Sequence, residues 1–179
     1  MARMLTVTER MQRIEALVFD VDGVLTDGLL DYGAAEEGKR FSVLDGFGFT
    51  LARQVGWRYA FVTARGGAAV ERRAAELGAE LLSRQRRKDE AVRALAMQWQ
   101  LPLERIAYMG DDWLDLPAMA IVGLAASVPN AAAAVRQRAH WLSTVPGGQG
   151  AARELIEALL RVQGRLEGLL ATYLDARGA

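Results

Sequence analysis

Cysteine is absent, which excludes disulfides, thiolate metal sites and cysteine nucleophiles together. Histidine occurs once, as His140, so any general acid or base is expected to be a carboxylate. An excess of either charge is also missing. The 22 basic residues balance 22 acidic ones, leaving nucleic acid and anionic membranes without an electrostatic footing as partners. No apolar run reaches the roughly 18 residues of a membrane span, and Met1 to Gln12 holds no signal-peptide core, so the expected location is cytoplasmic. Lysine is scarce as well: only Lys39 and Lys88, with arginine supplying every other basic residue. Where arginine is the default cation, a retained lysine marks a place that needs a compact, flexible ammonium.

What is present points to chemistry on a phosphate. Asp20-Val21-Asp22-Gly23-Val24-Leu25-Thr26 and Gly110-Asp111-Asp112-Trp113-Leu114-Asp115 each follow an apolar run that reads as a buried strand, Ile14 to Phe19 and Ile106 to Met109. Carboxylates at the ends of parallel strands lie in the crevice where open α/β sheets bind ligands. Several acids there repel one another unless a cation sits between them, and Mg²⁺, which prefers oxygen ligands, is the economical choice. One carboxylate of an Asp-x-Asp pair can attack phosphorus, and the second can protonate the leaving oxygen and later activate water. Gly23 lets the main chain approach a phosphate closely.

Alternating strands and helices predict a parallel sheet covered on both faces, an α/β Rossmann-like single domain spanning residues 1–179. Leu29 to Tyr32 and Lys39 to Val43 read as the arms of a β-hairpin flap over 27–43, turning at Gly33 to Gly38. Asp45 is the expected N-cap of a helix running to about Val55. Further strands are expected at Arg58 to Val62 and Glu80 to Leu82, and further helices at Gly67 to Leu77, Arg87 to Trp99, Leu114 to Met119 and Ala131 to Arg138. Ile121 to Ala126 is a buried apolar run and His140 to Leu142 a last edge strand. One long helix from Gly150 to Leu170 closes the chain, and residues 1–12 and 164–179 are expected to be mobile.

In this order, Asp20-Val-Asp22-Gly-Val-Leu-Thr26, Thr63, Lys88 and Gly110-Asp111-Asp112-x-x-Asp115 resemble the haloacid dehalogenase superfamily of phosphatases. Asp27-Gly28, Asp45-Gly46-Phe47-Gly48, Thr63-Ala64-Arg65 and Pro146-Gly147-Gly148-Gln149-Gly150-Ala151 are similar to the capless octulosonate 8-phosphate phosphatases within it. The resemblance implies Asp20 as nucleophile, Asp22 as acid/base and Mg²⁺ held by Asp20, Asp111 and the Asp22 carbonyl. It further implies that Asp112 and Asp115 orient groups around the metal and that Thr63 and Lys88 meet the transferring phosphoryl group. Arg65, Asp45, Gly46 and Gly23 are the expected substrate-binding positions, and a sugar-acid phosphate the expected substrate. The resembling proteins are homotetramers whose subunits cover one another's sites. Gln149 stands where that family commonly has arginine, which keeps another sugar acid, such as a nonulosonate 9-phosphate, open as substrate. Two other readings are a receiver-type signalling domain, which would place its phosphorylated Asp where Thr63 stands, and a catalytically silent module of the same fold.

Overall fold

The computed structural model describes residues 4–31 and 38–175. Its frame is one parallel sheet. Strand β1 (Ala16–Phe19) lies at the centre, with β2 (Arg58–Val62) and β3 (Glu80–Leu82) on one side and β4 (Ile106–Gly110), β5 (Leu124–Ser127) and β6 (Trp141–Leu142) on the other. The spatial order is β3-β2-β1-β4-β5-β6, and every neighbouring pair is parallel. β1, β4 and β5 are buried along their whole length, as expected of apolar runs covered on both faces. The chain moves outward from β1 to β3 and then returns to β4 on the other side. The strand order therefore reverses between β1 and β4, which opens a crevice beyond their carboxyl ends. Register places Phe19 opposite Met109, so Asp20 and Gly110 leave the sheet side by side.

Helices α1 (Val7–Met11), α2 (Val43–Gln54), α3 (Ala68–Leu77), α4 (Lys88–Trp99), α5 (Leu116–Met119), α6 (Ala133–Arg136), α7 (Ala151–Val162) and α8 (Leu166–Asp175) cover the sheet. Helix α7 buries Ala151, Ala152, Leu155, Ile156, Leu159 and Leu160, a stripe at helical spacing. It packs on α2 at Gly48, where an added Cβ would lie 3.0 Å from the Cα of Arg153. Phe49 of α2 meets Phe19, Tyr59 and Phe61 with ring centroids 5.1–5.2 Å apart, tying that layer to the sheet.

Three expectations are revised. The first dozen residues contain α1, whose Thr6 and Glu9 form a capping box and whose Met11 enters the core. Helix α2 begins at Ser42, which accepts the main-chain N–H of Leu44, and Asp45 is instead its third residue. The closing helix is two helices: Gly164 takes φ +69° and breaks α7 from α8. Helix α8 then returns to α2, Tyr173 meeting the Phe47 ring and accepting a bond from Gln54.

Between β1 and α2 the described residues carry turns and one antiparallel bridge, Asp31 to Gly38. Of the expected flap, Asp31 and Gly38 pair in that bridge, residues 39–42 form no strand and Val43 already belongs to α2, while Tyr32 and the turn through 33–37 lie outside the described residues. Among the described residues no helix is long and apolar enough to cross a membrane.

Candidate active site

The loop after β1 is fixed by main-chain and hydroxyl bonds that free both of its carboxylates. The main-chain N–H of Asp20 bonds Met109 O at 2.9 Å, and those of Leu25 and Thr26 return to Val21 O at 2.9 and 3.0 Å. Thr26, fully buried, accepts from the N–H groups of Gly23 and Gly28 at 3.3 and 3.2 Å. A second clamp comes from much later in the chain. Asn130 Nδ2 donates to Gly23 O at 3.0 Å, and Gly147 N donates to Asn130 Oδ1 at 2.8 Å. Gly147 passes so close that an added Cβ would sit 1.8 Å from Gly23 O.

Asp20 is buried and accepts from Lys88 Nζ at 2.5 Å. Lys88, the first residue of α4, also donates to Asp115 Oδ1 at 2.6 Å and is itself buried. Burial pushes the Asp20 carboxyl well above the usual carboxylate range, the Asp115 charge adds to this, and Lys88 opposes it. For Lys88, burial works against the charged form, yet Asp20 and Asp115 outweigh it and its pKa lies above the ordinary lysine value. An ammonium at a helix start is unfavourable by itself; these two acids are what make it stable there.

Asp115 is the hub of the site rather than an outlying helper. Fully buried, it accepts Lys88 Nζ and the Tyr108 hydroxyl on Oδ1, each at 2.6 Å. On Oδ2 it accepts the N–H groups of Asp111 and Asp112 at 2.9 and 3.0 Å. The oxygens of Asp20, Asp111 and Asp115 lie within 4.8 Å of one another. Because both Asp115 oxygens are already engaged, Asp20 and Asp111 are the pair left to meet a cation. Burial, followed by the Asp115 charge, raises the Asp111 carboxyl to about 7.

Gly23 explains how Asp111 comes so near the first loop. It takes φ +94°, and a Cβ there would stand 2.1 Å from Asp111 Oδ2. Two hard carboxylate oxygens, held against a bare stretch of main chain and each disfavoured as an anion by its neighbour's charge, suit Mg²⁺.

Asp22 turns away from this group. It forms an ion pair with Lys39, whose side chain is almost wholly buried, and faces Thr63 Oγ1 at 3.5 Å. Thr63 directly follows β2 and accepts the N–H of Arg65 at 3.1 Å. A cleft of about 410 Å³ opens over these residues, with Arg65, Arg86, Gly28, Asp112 and Leu114 completing its wall. Asp112 also caps the 3₁₀ turn Trp113–Asp115, accepting Trp113 N–H at 2.7 Å. A groove of about 500 Å³ lies at the other end of the strands, beside Glu15, Trp57 and Trp99. It has no cluster of acids, so cavity size alone would mislead here.

The structure thus brings together Asp20, Asp22, Thr63, Arg65, Lys88, Asp111, Asp112 and Asp115, with Gly23 as support. It does not bring Asp45 or Gly46. Asp45 is buried beside Phe41 and Arg73 and accepts Arg153 N–H at 2.9 Å, so it caps α7 from another helix. Gly46 gives room to the Arg73 guanidinium, 2.7 Å from where its Cβ would be. Gln149 is exposed and outside the cleft wall. Lys39, Tyr108 and Arg86 are additions; scarcity of lysine was the one signal in the sequence for Lys39.

A family model described as haloacid dehalogenase-like hydrolase matches residues 72–155. The 3-deoxy-D-manno-octulosonate 8-phosphate phosphatase of Yersinia pestis is 38% identical over 164 residues, covering 90% of this chain and 88% of its own. The Escherichia coli K12 protein of the same name is 39% identical over 163 residues, covering 90% and 87%. This chain belongs to that phosphatase family. A crystal structure of the Moraxella catarrhalis phosphatase, in complex with magnesium ion, phosphate ion and the sugar acid KDO, superposes with a TM-score of 0.90. It is 36% identical, covering 93% of this chain and 97% of that one. The octulosonate phosphatase family therefore accounts for the whole described sheet, not only for the acidic loops.

Proposed function

We propose that the chain hydrolyses 3-deoxy-D-manno-octulosonate 8-phosphate to the free sugar acid and phosphate, through an aspartyl-phosphate on Asp20. The observation that carries this reading is the convergence at one cleft of a buried Asp20 held by Lys88, a second carboxylate two residues on, and Asp111. Kinship with phosphatases of that name supports the substrate.

An Asp20 oxygen attacks phosphorus as the bond to the sugar oxygen breaks, and Asp22 gives its proton to that departing oxygen. Asp22, now a carboxylate, takes a proton from water as the water oxygen attacks phosphorus and Asp20 leaves. Thr63 donates its hydroxyl to the phosphoryl oxygens, and Lys88 compensates the charge gathering between nucleophile and phosphate. Asp20, Asp111 and the Asp22 carbonyl would hold Mg²⁺, which when bound neutralises charge between the carboxylates and the phosphate. Asp115 and Asp112 keep the second acidic loop in place.

Trp113 and Leu29, 69% and 67% exposed and next in the chain to residues that line the cleft, support a homotetramer whose subunits cover one another's sites, tested by light scattering on the eluting protein. A cytoplasmic location goes with this reading.

The test is Mg²⁺-dependent phosphate release from octulosonate 8-phosphate, nonulosonate 9-phosphate and neutral sugar phosphates. Preference for the octulosonate is expected, and Asp20→Asn is expected to abolish turnover while melting like the parent. Preference for the nonulosonate would move the substrate and keep the mechanism; full activity of Asp20→Asn would sink the mechanism.

A further inference from the structure

Arg86 is an exposed residue of the cleft wall, and neither the motifs nor the proposed chemistry assigns it a task. Each other cation facing these acids is engaged. Lys88 bridges Asp20 and Asp115, and Lys39 pairs with Asp22. Arg86 has no acidic partner among the described residues.

Its neighbours in the basic run have contacts of their own. Arg87 pairs with Glu90 at 2.9 Å. Arg84 lies across Gly66, its Nε 3.3 Å from where a Cβ would be. Arg84 also takes φ +58°, a left-handed conformation costly for a residue with a side chain. That turn is pinned to the neighbouring site loop: Arg84 N donates to Arg65 O at 3.1 Å and Gln85 N to Thr63 O at 2.9 Å. The loop 83–87 is thus locked to the segment carrying Thr63 and Arg65, with Arg86 as the member of the run that reaches the cleft. The turn fixes the main chain from which the exposed Arg86 side chain extends.

Resting on the function proposed above, we propose that Arg86 is a specificity-determining residue, which with Arg65 receives the carboxylate of the sugar acid. The phosphoryl group is directed to the buried end by Asp20 and Lys88. The substrate carries its second anion at the opposite end of the carbon chain, and Arg65 and Arg86 are the exposed cations of a cleft whose Asp20 and Lys88 are buried. A planar fork matches a carboxylate bidentately, which a lysine cannot do.

The test compares the parent, Arg86→Gln and Arg86→Lys on octulosonate 8-phosphate and on neutral D-arabinose 5-phosphate, in the intact Mg²⁺-loaded protein. Loss of a charge-assisted bond should raise KM for the sugar acid roughly 10- to 100-fold in Arg86→Gln, with kcat within about threefold. Arabinose 5-phosphate kinetics should stay within about threefold, and Arg86→Lys should fall between. An equal loss on both substrates would show Arg86 serving the phosphate and overturn the proposal, as would no loss on either. A parent that releases phosphate from arabinose 5-phosphate but not from the sugar acid would overturn the substrate reading along with it.

Discussion

Asp115→Asn is the sharpest test of how the site is held together. The change is isosteric, yet one oxygen that accepted two hydrogen bonds becomes a donor. The cheaper orientation keeps the amide oxygen on the N–H groups of Asp111 and Asp112 and turns the NH₂ toward Lys88 and Tyr108. Tyr108 is fully buried, and its hydroxyl can rotate to accept but then has no acceptor of its own. Lys88 loses a charge-assisted bond, worth about 1.5–3 kcal/mol, and the Tyr108 proton is left unsatisfied at about 1–3 kcal/mol. Relief of repulsion with Asp20 and Asp111 offsets part of this, for a net loss of about 3 kcal/mol. In a chain of this size that lowers Tm by roughly 6–12 °C. Scanning calorimetry should show it, with Asp112→Asn as the control, since that exposed acid caps a single turn and should cost under about 1 kcal/mol. An Asp115→Asn protein melting within about 1 °C of the parent would refute the hub assignment.

Burial raises the Asp45 carboxyl to about 6 from 3.8, so the native state binds more protons between these values and stability falls as pH rises through that window. The full effect approaches about 3 kcal/mol above pH 6. Asp45→Asn should flatten this slope in urea melts across pH 4–7, and an unchanged slope would contradict it. Gly23→Ala places a methyl 2.1 Å from Asp111 Oδ2 and should raise the Mg²⁺ concentration for half-activity at least about tenfold; an unchanged requirement would separate Gly23 from the metal. Lys39→Met keeps the stem and removes the Asp22 partner. It should lower kcat by about tenfold or more, short of the 10²–10⁴-fold attributed to the acid/base group itself. Steady-state kinetics with kcat intact would make Lys39 merely structural.

The sheet and both acidic loops were legible because buried parallel strands are near-continuous apolar runs, and each run ends on its acids. What escaped depends on partners distant in the chain. Asp45 looked like a cap for its own helix, whereas the N–H it receives belongs to Arg153, 108 residues later. Asp115 stood four residues from Asp111 in plain view, but two of its donors come from β4 and α4. Gly164 was visible as a weak point; that it would turn left-handed and fold α8 back on α2 depended on Tyr173 finding Phe47. Arg86 was one of a run of like charges until the fold showed which of them faced the cleft.

The clamp on the Asp20 loop carries a consequence for how the protein is made. Every acid of the cleft is translated by residue 115, but Asn130, Gly147 and the start of α7, which hold that loop and cover Asp45, come later. At about 5–20 residues per second, the ribosome leaves this cluster of like charges without its clamp for roughly 2–8 seconds. The clamp on the nucleophile's loop is therefore completed only when little more than α7 and α8 remain to be made.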